Sequence, residues 1–280
     1  MVLRRTTTTS ACARRDRTTR RLAAAALSFA IGARTSPASA TPPYEPETYR
    51  RFSLSAGGNY FGGNLNQIAA NLQGNLGLSS PTYGVDVRFN AYRLWGKPTP
   101  KQEFRVLGDD AYVNALPFWY FVKRAYVIGL ASYDSSQLET LDRRVTVGTG
   151  VGYAPARSKT FLLRGALATA FEYSQHDEHD FRLDVPHDAG ERFVGRLALL
   201  SNGWLRMKDG PVSLRYVTMV LPNLADVRDV RFNFDGQIDV KITEPLSFRV
   251  TQIVQYDAAT VRAREPLNLR ATFGLAWTTK

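Results

Sequence analysis

Between Asp229 and Ile242 polar and apolar residues alternate without a break over fourteen positions. Asp229, Arg231, Asn233, Asp235, Gln237, Asp239 and Lys241 fall on one side, and Val230, Phe232, Phe234, Gly236, Ile238, Val240 and Ile242 on the other. Successive side chains of a β-strand point to opposite faces, so the segment predicts one long strand with a charged flank and an apolar flank. A helical period would spread the same residues around the whole cylinder. Strands of soluble domains usually run about five or six residues, whereas a tilted strand crossing a bilayer needs roughly nine to eleven.

The pattern recurs to the C-terminus and predicts twelve strands: Arg51–Phe61, Gln67–Leu78, Thr82–Trp95, Asp110–Phe121, Ala125–Tyr133, Arg144–Tyr153, Thr160–Ser174, Arg192–Leu205, Val212–Leu221, Asp229–Ile242, Leu246–Asp257 and Leu267–Thr278. Connections after even strands are tight, as at Ser79-Ser80-Pro81 and Thr243-Glu244-Pro245, while those after odd strands tend to be longer, as at Gln175 to Glu191. Outer-membrane barrels alternate short periplasmic turns with long outer loops in this way. The fold class expected is therefore all-β, a closed antiparallel transmembrane β-barrel of about twelve strands over residues 50–280.

A lipocalin-like soluble barrel also alternates, with its apolar face inside. Twelve strands would enclose a lumen too wide for one layer of Val, Leu and Phe to fill. Aromatics also gather near strand ends, at Tyr60, Phe61, Tyr83, Trp95, Trp119, Tyr120, Tyr133, Tyr153, Tyr173 and Trp277, where membrane barrels carry interfacial girdles. The apolar face is thus expected to meet lipid, and closure follows because an open edge in hydrocarbon leaves costly unpaired backbone groups. The polar face would line the lumen with Arg88, Arg144, Arg164, Arg196, Arg215, Arg231, Lys241, Arg249 and Arg270 against Asp86, Glu172, Asp229, Asp235 and Asp239. An open path so lined would favour anions or be indifferent; pairing of these charges would plug it.

Charge and export narrow the reading further. Arg4, Arg5, Arg14, Arg15, Arg17, Arg20 and Arg21 precede an apolar run, Leu22 to Ala33, and Ala38-Ser39-Ala40 offers a small-x-small cleavage site, the layout of a signal peptide over residues 1–40. The run is too short to span a bilayer as a helix. Of the formal net charge of +11, the eight arginines and one aspartate before Thr41 supply seven, leaving four on the mature chain. A nucleic-acid reading loses its support. Cys12 lies in the leader, so the mature chain has no disulfide and no thiolate chemistry. Residues 41–49 form a short Pro-rich lead-in.

Several segments resemble a known family, the salt-induced outer-membrane proteins. Gly63-Asn64-Leu65-Asn66 is similar to its early Gly-Asn-Thr-Asn element, and Val147-Gly148-Thr149-Gly150-Val151-Gly152-Tyr153 to its Gly-x-Gly-x-Gly-Tyr strand. Leu221-Pro222-Asn223-Leu224 and the run from Leu246 through Tyr256-Asp257 to Leu275 resemble its last three strands. The resemblance implies an outer-membrane β-barrel with no catalytic residues to carry over, and a link to salt or osmotic conditions. Outer-membrane strands commonly finish on an aromatic residue; here Thr278-Thr279-Lys280 follow Trp277, which bears on recognition by the barrel-assembly machinery during insertion.

Three constellations invite chemistry. His176-Asp177-Glu178-His179-Asp180, with His187 and Asp188, has ligand types for a divalent cation but sits in a loop, where a solvated acidic segment is the commoner explanation. Ser174 and His176 share a strand face, as a barrel-rim lipid hydrolase would require, but in the reverse order to such lipases. Gly148, Gly150 and Gly152 lie on one strand face with no helix following, so they serve close backbone approach rather than phosphate binding. The expectation is a non-enzymatic envelope protein without cofactor or metal, partnered by the outer-membrane bilayer and the assembly machinery. It is read as a small pore or a structural protein, of unknown oligomeric state. A lipid hydrolase and a secreted soluble barrel binding an apolar ligand are the alternatives.

Overall fold

A computed structural model describes residues 48–61, 67–97, 103–137, 140–158, 160–177, 181, 183, 190–207, 210–260 and 266–279. The expected signal peptide and all but the last two residues of the lead-in lie outside them. The strands are β1 Tyr49–Phe61, β2 Gln67–Ser79, β3 Tyr83–Gly96, β4 Arg105–Tyr120, β5 Ala125–Ser136, β6 Leu141–Arg157, β7 Phe161–His176, β8 Glu191–Arg206, β9 Val212–Pro222, β10 Val230–Lys241, β11 Leu246–Asp257 and β12 Leu267–Thr279. Each pairs antiparallel with its neighbours in sequence, and β12 returns to β1 through Phe52↔Thr279 to Gly57↔Gly274. The fold is an all-β closed barrel of twelve strands.

Alternation acts as expected along most strands. On β2, Ile68, Leu72, Leu76 and Leu78 are exposed while Asn71, Gln73 and Asn75 are buried. This is the inverse of a soluble sheet, in which the apolar face is the buried one. Connections after even-numbered strands have three to five residues and those after odd-numbered strands four to fourteen, so the two ends of the barrel differ.

Strand limits move where the pattern is interrupted. β4 begins at Arg105, five residues before the expected Asp110, because a register shift at Leu94/Trp95 of β3 lets pairing continue past Gly108 and Asp109. A second shift, at Tyr153/Ala156, carries β6 on to Arg157 despite Pro155. Such bulges absorb the extra residue and bend the strand.

Contacts across the lumen show that the barrel is flattened into two walls, β1–β6 and β7–β12. The Thr251 hydroxyl of β11 donates to Gln73 of β2 at 2.8 Å, Arg88 of β3 meets Asp235 of β10 at 3.4 Å, and Asn114 of β4 approaches the Met219 sulfur of β9 at 3.8 Å. The folds between the walls fall at β6–β7 and at β1–β12, and small residues occupy both. A Cβ on Gly150 would lie 2.4 Å from the Ala168 Cα, and one on Gly274 would lie 2.4 Å from the Ala56 carbonyl oxygen. A side chain on the concave side of either corner would force the strands apart.

Flattening changes what fills the interior. Leu116, Phe118 and Tyr120 of β4, with Tyr126, Ile128 and Leu130 of β5, pack against Ala168, Ala170, Ala198, Leu200, Val217, Met219 and Leu221 of the facing wall. A wholly polar lumen is therefore not what forms. A round section of twelve strands is too wide for one apolar layer, whereas two apposed walls approach as the sheets of a sandwich do, and side chains fill the space between them.

Candidate functional site in the barrel interior

The polar part of the interior is ordered by strand register. Arg144 pairs in register with Ser174, Thr146 with Glu172, Arg192 with Ser174 and Arg196 with Ala170, so the inner faces of β6, β7 and β8 bring three arginines around one glutamate at the long-loop end. Arg196 grips Glu172 with Nε and Nη2, both at 2.9 Å, and its Nη1 donates to the Leu221 carbonyl at 2.9 Å. Arg231 of β10 binds the same carboxylate, and Arg144 Nε lies 3.8 Å from it. Glu172 and Arg196 are both 0% exposed. The fork of a guanidinium matches a carboxylate, which gives this pair both strength and direction.

Three further carboxylates complete the cluster. Arg144 donates to Asp257 at 2.6 Å, Arg192 to Asp229 at 2.8 Å, and Arg231 lies 3.6 Å from Asp134. Four guanidiniums thus face four carboxylates, a neutral network bridging both walls. Uncompensated, any one of these charges would be expensive at such burial.

Separate groups hold the rest of the lumen. At the short-turn end Arg249 binds Asp239 at 2.7 Å and donates to Ser53 and Ser55 at 3.2 Å, and Asn75 donates to Gln237 at 3.2 Å. Arg164 crosses from β7 to Asp86 of β3, its guanidinium 4.2 Å from the Phe118 ring centroid. Arg157 reaches the Ser80 and Pro81 carbonyls at 3.0 and 3.1 Å while lying over Tyr120, which faces inward rather than joining the outer aromatics. Arg270 of β12 pairs with Asp110 of β4. A cavity of about 30 Å³, lined by Asn90, Tyr112, Asp134, Arg144, Arg231 and Asp257 among others, has room for a water or two.

The charged positions expected from alternation are distributed as follows. Arg144, Arg164, Glu172, Arg196, Asp229, Arg231, Asp239 and Arg249 are buried inside; Asp86, Arg88, Arg215, Asp235 and Arg270 are half-buried. Lys241 departs from the pattern: it is exposed and binds Glu244 of the adjoining turn at 2.9 Å, because β10 ends there. Asp134, Asp257 and Arg192, which alternation did not single out, belong to the network; they sit at strand ends where the pattern fades into loop composition.

Ser174 and His176 point inward from β7 and are buried, and His176 packs edge-on against Phe181 with ring centroids 5.0 Å apart. No hydrogen bond joins them among the described residues, and neither lies on the outer face. Glu178, His179, Asp180, His187 and Asp188 lie outside the described residues. No metal-binding group of His, Cys, Asp and Glu occurs among the described residues.

The outer surface is the complement of this interior. Val147 and Val151 of β6, Leu167 and Phe171 of β7, Leu199 of β8 and Leu269, Phe273 and Leu275 of β12 are all exposed, part of a predominantly apolar outer face. Tyr83, Trp119, Tyr153 and Trp277 stand outward at the short-turn end, and Tyr133, Phe171 and Phe193 toward the other. Tyr133 pairs with Val145, eight residues before Tyr153 on β6, which is about 26 Å along a strand and roughly 20 Å along the axis of a tilted barrel.

The chain belongs to the family described as protein of unknown function DUF481, whose model matches residues 54–278. No curated protein matches it. Among solved structures it is similar to the NanC porin at 8% identity, covering 81% of this chain and 100% of that one with a TM-score of 0.46. It is also similar to the translocator domain of the autotransporter NalP from Neisseria meningitidis, at 13% identity, 94% and 95% coverage and a TM-score of 0.39. The KdgM porin matches at 8% identity, 83% and 100% coverage and a TM-score of 0.37.

Proposed function

We propose that the protein is a non-enzymatic outer-membrane β-barrel whose interior is held shut by contacts between its two walls, a structural element of the cell envelope rather than an open pore. The observation that carries the reading is the inversion of its faces. A predominantly apolar belt lies outside, while Glu172, Arg196, Arg249 and Gln237 are buried within. In water such a surface would aggregate, whereas in hydrocarbon the closed ladder leaves no backbone group unpaired. The leader over residues 1–40 would supply export and the assembly machinery insertion; the connection with salt or osmotic conditions rests on the family resemblance alone.

A lipid hydrolase is the second reading. It is disfavoured because Ser174 is 0% exposed and not hydrogen-bonded to His176 among the described residues, so this pair presents no nucleophile at the rim. A secreted soluble barrel is disfavoured by the exposed belt.

Planar-bilayer recording of the purified protein tests the proposal. The expected result is insertion that needs detergent or lipid, with no steady single-channel steps. Steady steps at every insertion would instead establish a pore, and a monomer folded in plain buffer would remove the membrane role.

A further inference from the structure

We infer that the short-turn end of the barrel is a docking surface for anionic glycerophospholipid headgroups, a reading that rests on the outer-membrane proposal. Among the described residues the short-turn end of the barrel carries an excess of exposed positive charge, whereas acids and bases nearly balance at the other end. Among the described residues at the short-turn end, Arg50, Lys123, Arg206 and Lys241 are exposed and Arg124 is half-buried. The one exposed acid beside them among the described residues is Glu244, which binds Lys241. Arg50, Lys123, Arg124 and Arg206 make no ion pair among the described residues. At the long-loop end Glu103, Asp109, Asp142, Asp177, Glu191 and Asp226 are interleaved with Arg93, Lys97, Arg105, Arg143 and Arg228 over the strand ends and connections, Arg93 being spent on Asp109 and Arg228 on Asp226.

Position adds to charge. Trp119 and Phe121 precede Lys123 and Arg124, Trp204 precedes Arg206 with the guanidinium 5.5 Å from its ring centroid, and Tyr83, Tyr153 and Trp277 stand outward at the same level. Interfacial Trp and Tyr sit at headgroup depth, so cations one or two residues beyond them lie among the phosphates. They come from β1, β4–β5, β8–β9 and β10, which lie around the whole circumference. No single phosphate ion bridges such a ring, whereas a shell of headgroups meets it at every turn. Short turns face the periplasm in barrels of this kind, so the lipids concerned are those of the periplasmic leaflet.

The test uses the whole protein folded into phosphatidylcholine vesicles, with barrel formation read from heat-dependent gel migration. It is then extracted with an equimolar mixture of phosphatidylglycerol and phosphatidylcholine, and the retained lipids are counted by native mass spectrometry. We expect at least a fivefold preference for phosphatidylglycerol, about what one cation near a charged surface gives. The preference should vanish in the R50Q/K123Q/R124Q/R206Q variant, persist in R50K/K123R, and fall toward unity in about 0.5 M NaCl, where screening is strong. Equal retention of the two lipids by the folded wild type would overturn the inference while leaving the barrel intact. So would a preference unchanged in the fourfold variant or in salt, or displacement of all bound lipid by inorganic phosphate. Absence of the heat-dependent band in either lipid would defeat the membrane reading itself.

Discussion

The Tyr112 hydroxyl donates to a carboxylate oxygen of Asp235 at 2.7 Å, although β4 and β10 stand opposite one another in the ring. In a round barrel those side chains would be separated by the full width of the lumen. Their hydrogen bond, with Arg88 on the same carboxylate at 3.4 Å, makes the interior a join between two walls. Tyr112→Phe removes the donor and keeps the ring. Since a buried acceptor then loses a partner, we expect a loss of about 1–3 kcal/mol, read from urea unfolding in lipid vesicles. An unchanged midpoint would mean that the walls do not meet there.

Glu172 is the common acceptor of Arg196 and Arg231, with Arg144 close by. Glu172→Gln keeps the shape and strips the charge, leaving guanidiniums uncompensated, and should cost about 3–5 kcal/mol in the same assay. Coupling it with Arg196→Met should restore part of that loss, because the number of unpaired cations falls. A double variant weaker than the sum of the singles would contradict the ion-pair account.

Leu167 is exposed near the middle of β7, between Val151 and Leu199 in register. Leu167→Arg places a charge at the midplane of the belt and is expected to cost about 2–4 kcal/mol in vesicles. In a water-exposed sheet the same change would be close to neutral, so the size of the effect distinguishes lipid from solvent.

Gly274 lies at the corner where the walls meet, and a Cβ there would come within 2.9 Å of the Gly57 Cα. Gly274→Val should therefore prevent pairing of β12 with β1 and abolish the heat-dependent gel band. Retention of that band would show that the seam has slack.

In the β9–β10 connection, Arg228 chelates Asp226 through Nε at 2.9 Å and Nη2 at 2.8 Å, holding the Asp226 carboxyl below its ordinary range. A lowered value in the folded state means that the pair is intact above the ordinary aspartate range and is lost as pH falls through the lowered value. In an NMR titration the Asp226 carbon should shift at lower pH than a free aspartate, and Arg228→Ala should move it part of the way back, the bond from the backbone N–H of residue 228 remaining. An unaltered titration in that variant would rule the pair out.

The fold was legible in the sequence because β2, β10 and β12 alternate cleanly, and alternation fixes both strand and face. It failed where both faces are apolar. In β5, Tyr126, Ile128 and Leu130 face inward while Val127 and Tyr133 face outward, so the segment has no contrast to read. That two-sided run was itself a sign of an apolar interior wall. The buried charges Arg144, Glu172, Arg196 and Arg231 followed from parity, but which acid meets which base depends on the shear and flattening of the ring. Asp134 and Asp257 were hidden for a related reason, since a carboxylate at a strand end resembles a loop residue until the pairing is known.

The seam between β1 and β12 spans Phe52–Gly57 against Gly274–Thr279, while β1 and β2 pair along the whole of Tyr49–Phe61. The circle is thus fastened by its shortest ladder, between the first and last strands of the barrel. Every other ladder can zip while the chain is still an open ribbon; this one must wait for the tail. Phe52 and Thr279 finish side by side, so a circular permutant joining them and opening at another turn would move the clasp elsewhere. Its rate of closure would tell whether the ring's assembly is timed by this particular pair of ends.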